Sequence, residues 1–194
     1  MADSPPRRAD ARRNIDRIID AAVACLSRDP HASVQQIAVE AGVGRVTAYA
    51  HFESRGSLVE AALRRAIEQG EEVLSQLDLE GDPHAALRRL VEAGWELSAR
   101  SVNIWVAAHD TLSAAQIRTL HDPPAERAKK LLRRGQREGA FRSDLPADWL
   151  VDSLHSLMKL ALDEVVSGRI AHADAAALIA LSAEGLWGGR ADAD

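Results

Sequence analysis

Arg45, Val46, Thr47, Tyr49 and His51 stand within one short stretch, and their side chains suit contact with a nucleic-acid duplex. A guanidinium at Arg45 can reach a guanine edge or a phosphate, and the Val46 methyls can touch a thymine methyl. The polar tips of Tyr49 and His51 suit phosphate oxygens. For Tyr49, ordinary packing against the core is the rival reading. Other chemistries find little support. There is no Gly-x-Ser-x-Gly nucleophile turn, no phosphate-cradling glycine loop and no zinc-ligand spacing. Asp152 and His155 lie at i, i+3, as in one arm of a dimetal site, but the sequence offers no second arm. The sequence therefore gives no reason to expect a catalytic residue, a metal or a cofactor. The single cysteine, Cys25, excludes a disulfide framework.

The elements that must position these side chains read as helices throughout. Ile15, Ile18, Ile19, Ala22, Val23 and Leu26 recur at helical spacing and form one apolar face. Pro30 ends that helix, because proline cannot continue one. Ser33 can cap a second helix with Val34, Ile37, Ala38 and Ala41 inward. Gly42 follows, at a turn that needs left-handed backbone. A third short helix covers about 44–52, with Val43, Ala48 and Phe52 free to face the core and Arg45, Val46, Thr47 and Tyr49 outward. Ser54 then caps a longer helix carrying Leu58, Ala61, Ala62, Ala66 and Ile67. Two short helices joined through a glycine turn form a helix-turn-helix, whose second helix enters a major groove.

The run from Ile37 to Arg55, with Ala41-Gly42-Val43 followed by Thr47-x-Tyr49-x-His51-Phe52, resembles the DNA-binding signature of the tetracycline-repressor (TetR) family. The likeness is motif-level over about residues 12–65. Further on it is architectural, with a Gly-x-Phe-Arg-x-Asp-Leu-Pro loop at 139–146. The resemblance implies a three-helix head, a fourth helix linking it to a ligand-binding body, and a dimer made by the last two helices. It also implies base contacts from Arg45 and Thr47, with Val46 and Gln35 as further candidates. Ser33, Tyr49, His51 and Arg55 would hold phosphates, and Arg12 and Arg13 would lie near the DNA backbone. Gly44 stands where the family commonly has serine, so a side-chain cap is given up at a cost of a few tenths of a kcal/mol.

The charge sits in the body. Residues 1–60 hold eight arginines against eight acidic residues, so the net charge of −5 comes from the rest of the chain. A DNA footprint must then come from local placement of arginine rather than from bulk charge. No secretory signal or membrane-length apolar run is visible, so the chain is expected to be soluble and cytoplasmic, with no membrane partner.

The expected architecture is all-α. Residues 1–11 would be a disordered basic arm, 12–56 the DNA-binding head, 57–187 a helical ligand-binding and dimerisation body, and 188–194 a disordered tail. Trp95, Trp105, His109, His155 and Met158 are the body residues to search for an effector pocket, each with core packing as its rival. They suggest a small apolar or aromatic effector. The helix at about 147–166 carries two apolar stripes and must be covered on both sides. With the last helix it offers Leu150, Leu154, Leu157, Leu178, Ile179 and Leu186 as a homodimer interface. The expected function is regulation of transcription, with repressor release from a near-palindromic operator by the effector. The alternatives are a helical-bundle enzyme or metal protein using the body cavity, and an adaptor that keeps the helix-turn-helix as scaffold.

Overall fold

In the computed structural model, residues 5–120 and 122–188 are described, with backbone alone for 5–9, 122 and 123. Among them the chain forms ten helices: α1 (Pro5–Arg28), α2 (Val34–Glu40), α3 (Arg45–His51), α4 (Arg55–Leu74), α5 (Pro83–Arg100), α6 (Val102–Thr111), α7 (Ala114–Leu120), α8 (Asp122–Arg137), α9 (Ala147–Val166) and α10 (His172–Trp187). The only β-type pairing among the described residues is an isolated bridge between Phe141 and Gly188. The fold is all-α.

The helices divide into two compact units, and the division differs from the expected one at residue 56. The first contains the described residues up to Gln69 together with Ser101–Leu120; the second contains Gly70–Arg100 and the described residues from 122 onward. α6 and α7 thus belong with the head rather than the body. The cause is packing: Ile104, Ala107 and Ala108 of α6 are buried in the same core as Ile18, Ala22 and Leu26 of α1 and Leu58, Val59, Ala62 and Leu63 of α4. Asn103 adds a hydrogen bond from Nδ2 to the Ser27 carbonyl at 2.8 Å.

Local signals in the first unit act as the sequence predicts. Ser33 closes a capping box with Gln36, the Gln36 amide donating to Ser33 Oγ at 3.3 Å and the Ser33 amide to Gln36 Oε1 at 2.8 Å. Gly42 has φ +65, which an L-residue with a Cβ adopts only at a cost. Gly44 caps α3 with extended backbone and no side-chain bond. At the start of α4 the Ser57 amide donates to Ser54 Oγ at 3.1 Å.

The ends of the chain depart from the expected arm and tail. Residues 5–11, expected to be disordered, form the first turns of α1, and residues 1–4 lie outside the described residues. Of the expected tail, Gly188 pairs with Phe141 and residues 189–194 lie outside the described residues.

The second unit packs α5, α8, α9 and α10 around Leu87, Val91, Trp95, Leu132, Leu150, Leu154, Ala175, Ile179 and Trp187. The 139–146 loop joins α8 to α9 and pins the end of α10. Phe141 meets His84 and Trp187 edge-on, at 5.2 and 5.5 Å between ring centres. The Arg142 amide donates to the Trp187 carbonyl at 2.8 Å. Gly135 is required here, because a Cβ would lie 2.1 Å from the Phe141 ring.

Candidate nucleic-acid interface

The turn after α2 is held from behind by Arg17, whose Nη2 donates to the Ala41 carbonyl at 2.7 Å. That bond satisfies a carbonyl at the open end of α2, and α3 leaves the turn with one face inward. Ala48 is fully buried and Phe52 nearly so. The opposite face of α3 is bare. Val46 is 85% exposed, Tyr49 is 40% exposed, and Arg45, Ala50 and His51 are also at the surface. A valine this exposed gains nothing from the fold, because its methyls stay in water. Its position suits an apolar contact made with something else.

Arg45 and Tyr49, one helical turn apart, are associated. The Arg45 guanidinium carbon lies 5.4 Å from the Tyr49 ring centre, within cation–π range. The ring thereby gives the arginine a neighbour that restrains it. Thr47 is half-buried and so less prominent than expected for a base-reading residue. Gln35 and Ser33, at the start of α2, are exposed, but Ser33 Oγ is engaged with Gln36 in the cap. Tyr49 itself is partly packed and partly in solvent.

Arg55 departs from its expected place on a phosphate. Its guanidinium is turned into the protein: Nε donates to the Ala32 carbonyl at 3.2 Å, Nη2 to the Pro30 carbonyl, and Nη1 to Thr111 Oγ1 at 3.0 Å. Arg12 and Arg13 are exposed on α1, with Arg13 paired to Asp10. Beside α2 a groove of about 360 Å³ is lined by Cys25, Arg28, Gln35, Val39 and Glu40 among others. Arg28 is held there by Glu40 at 3.1 Å, and burial pushes the Cys25 thiol above its ordinary range.

A family profile described as "Bacterial regulatory proteins, tetR family" matches residues 18–62, the stretch that forms this face. The HTH-type transcriptional repressor LfrR of Mycolicibacterium smegmatis is 28% identical over 171 residues, which is 87% of this chain and 88% of that protein. Over residues 18–62 the chain is similar to the TetR family's DNA-binding region.

Solved structures of TetR-like regulators share the architecture well beyond the matched head. A transcriptional regulator from Saccharomonospora viridis, solved in complex with choline, superposes with a TM-score of 0.70 at 25% identity, covering 94% of this chain and all of that one. LfrR itself, solved with proflavine, gives a TM-score of 0.63 at 24% identity over 88% of this chain and 95% of its own. A TetR-family regulator from Rhodococcus sp. gives 0.71 at 19% identity over 90% and 98%, a likeness of fold alone. Over most of its length the chain is thus similar to proteins described as transcriptional regulators. The enzyme reading finds no support among these relatives.

The residues expected to line an effector pocket do not all fall in one unit. Trp105 and His109 lie in the first, with ring centres 6.2 Å apart; Trp95, His155 and Met158 lie in the second. Trp95 is 1% exposed, and its indole N–H has no acceptor among the described residues. Met158 crosses α5 at Gly94, where a Cβ would come within 3.0 Å of the Met158 methyl.

The expected dimer residues need correction. Leu150, Leu154 and Ile179 are buried in the core of their own unit, at 0–2% exposure, and Leu157 and Leu186 are half-buried. Of the six, Leu178 alone is exposed. The large apolar side chains that α9 and α10 leave in solvent are Trp149, Leu160, Val166, Leu178 and Leu181. No helix among the described residues is long and apolar enough to cross a membrane. The described residues also contain no group of three or more His, Cys, Asp or Glu placed to hold a metal.

Proposed function

We propose that this regulator binds a near-palindromic operator as a homodimer, represses transcription there, and leaves the DNA when a small molecule enters its second unit. The observation that carries the reading is the bare face of α3. Val46 stands out in solvent and Arg45 is braced on Tyr49, while Ala48 anchors the opposite side. Arg45, Val46, Thr47 and Gln35 take the base edges, and Tyr49, His51 and Ser33 take phosphates. Such a footprint needs no net positive charge on the whole protein, only donors at the contact. A reader of chromosomal DNA works in the cytoplasm, and the proposal includes that location.

The exposed row of Trp149, Leu160, Leu178 and Leu181 supports dimerisation through α9 and α10. A two-fold axis there would set two α3 helices about 34–36 Å apart, one turn of duplex. The effector is proposed to be apolar or aromatic. Related regulators have been solved with choline, a quaternary ammonium, and with proflavine, a planar aromatic. Trp95, with its buried and unanswered indole N–H, is the residue we place against the effector. In the domain roles that follow, the first unit reads DNA and the second senses ligand and dimerises.

Selection of bound duplex from a random pool tests the DNA reading, and it should return a sequence with two-fold symmetry. Arg45→Ala and Tyr49→Ala should each lower affinity for that sequence by about tenfold or more, in line with roughly 1–3 kcal/mol for a good contact. Failure to enrich any sequence, or wild-type affinity in both variants, would overturn it.

A further inference from the structure

We propose that Arg55 is a positioning residue of the DNA-reading unit and not one of its phosphate ligands. The proposal rests on the reading of α3 as the recognition helix, and it goes further by assigning how that helix and α2 are held. Arg55 opens α4, at a place where a cation facing outward could meet the DNA backbone. Its guanidinium turns back instead and spans three acceptors from two separate parts of the chain.

Two of the acceptors, the carbonyls of Pro30 and Ala32, belong to the turn between α1 and α2. That turn has few means of its own. The Ala32 amide reaches the Asp29 carbonyl at 3.1 Å and the His31 amide reaches Asp29 Oδ1 at 2.9 Å. Pro30 has no N–H to give. The turn leads directly into Ser33, the cap of α2, so any displacement of Ala32 is passed to the residues that begin α2 and to the α2–α3 angle. A planar guanidinium with donors in a fixed fork can hold two carbonyls at a set separation, whereas an ammonium is a single point.

The third acceptor, Thr111 Oγ1, stands at the end of α6 and itself donates to the Ala107 carbonyl at 2.5 Å. Its methyl packs close to Gly56, the residue after Arg55, where a Cβ would lie 3.4 Å from Thr111 Cγ2. Arg55 therefore joins α6 to the α1–α2 turn through one side chain, within a single compact unit. The consequence is that α6 is a structural part of the head, and its position is read by the start of α2.

The two roles for Arg55 separate in a salt titration. A cation that neutralises a phosphate releases counterions, and removing it lowers the slope of log affinity against log salt by about 0.9 for each contact. A positioning residue leaves the slope unchanged and lowers the preference for operator over random duplex. Full-length wild type, Arg55→Gln, Arg55→Lys and Thr111→Val would be titrated with the selected operator and with random duplex between about 50 and 200 mM salt. The expected result is an operator affinity lower by about 30–1,000-fold in Arg55→Gln, from the loss of three bonds worth roughly three- to tenfold each. Random-duplex affinity and salt slope should stay as in wild type, and Arg55→Lys should fail to rescue. Thr111→Val, which keeps the shape and removes only the hydroxyl, should fall about three- to tenfold with the same slope. A reduced slope, a parallel loss on random duplex, full rescue by lysine and a silent Thr111→Val would overturn the proposal.

Amide hydrogen exchange over residues 29–36 gives a readout free of DNA. Faster exchange in both Arg55→Gln and Thr111→Val supports positioning, and unchanged exchange refutes it. If the wild-type protein selects no duplex, the DNA reading fails while the exchange result still decides the role of Arg55.

Discussion

Trp187 donates its indole N–H to the backbone carbonyl of Leu150 at 3.0 Å, and both residues are sealed from solvent. The bond ties the last turn of α10 to the first turn of α9. It fixes which side of α9 faces its own core: Leu150 and Leu154 turn toward Trp187, and Trp149 and Leu160 turn away. The Phe141 ring meets Trp187 edge-on and closes the cluster. Replacing Trp187 by Phe keeps most of the apolar bulk and removes the donor. It should destabilise the protein by about 1–3 kcal/mol, the range for losing a buried hydrogen bond and stranding its partner. Urea denaturation followed by circular dichroism measures this, and a change below about 0.3 kcal/mol would mean the bond contributes nothing net.

The same geometry separates folding from association. Leu181 is 67% exposed on α10, whereas Leu150 is fully buried on α9. Leu181→Glu should leave the helical circular dichroism and melting temperature close to wild type and shift the protein toward monomer in sedimentation velocity. Leu150→Ala should do the reverse. It should cost about 2–5 kcal/mol of stability, as large-to-small core changes do, while the folded fraction still associates. Association unchanged by Leu181→Glu would exclude this face as the dimer contact.

These assignments mark where the sequence could be read and where it could not. The bounds of α9, the Ser33 cap and the left-handed Gly42 were legible because each depends on residues a few positions apart. The two stripes of α9 were legible as apolar, but periodicity cannot say which stripe meets the chain's own core. That choice is made by Trp187 and Ile179, which are near in space and distant in sequence. The bonds of Arg55 were out of reach for the same reason: its acceptors lie at 30, 32 and 111, and no local pattern joins them. The place of α6 in the head was hidden likewise, since Ile104 and Ala107 are as apolar as any body residue. α7 did carry a readable signal, the Ser113–Gln116 pair that caps it, and this went unused. The exposed face of α3 was the most legible of all, because Ala48 and Phe52 against Val46 and Tyr49 is a one-helix pattern.

Gly42 ties the turn of the helix-turn-helix to Arg17. At φ +65 a Cβ is strained whatever the space around it, and here it would also lie 2.9 Å from Arg17 Nη2. That atom is the one that donates to the Ala41 carbonyl. Gly42→Ala should therefore lose about 1–2 kcal/mol from the left-handed backbone and a further share from the displaced arginine. Gly42→Asn should cost less in backbone, because asparagine tolerates this region. Thermal melts of both variants against Arg17→Ala separate the two contributions. A glycine-to-alanine change without effect would show that the turn relaxes into another geometry.

His155 gives the second unit a dependence on pH near neutrality. Burial lowers its pKa from an ordinary value of 6.5, and the nearby Asp152 carboxylate opposes the shift in part. The folded protein thus favours the neutral imidazole, and the unfolded chain binds the proton more readily. Stability is fully present above the unfolded value and is lost as pH falls from about 6.5 toward the lower folded value. The carboxylates held low by partners, Asp148 by Lys129 and Glu164 by Arg169, behave differently. Their contribution is intact until pH drops below about 4–4.5, so they are silent in the neutral window. The Cys25 thiol, raised above 9.0, is silent there too. Between about pH 7.5 and 5.5 the wild-type melting temperature should fall. His155→Leu should flatten that fall, because no proton then separates the folded and unfolded states at this position. An equal fall in wild type and variant would assign the titration to another group and leave His155 a packing residue.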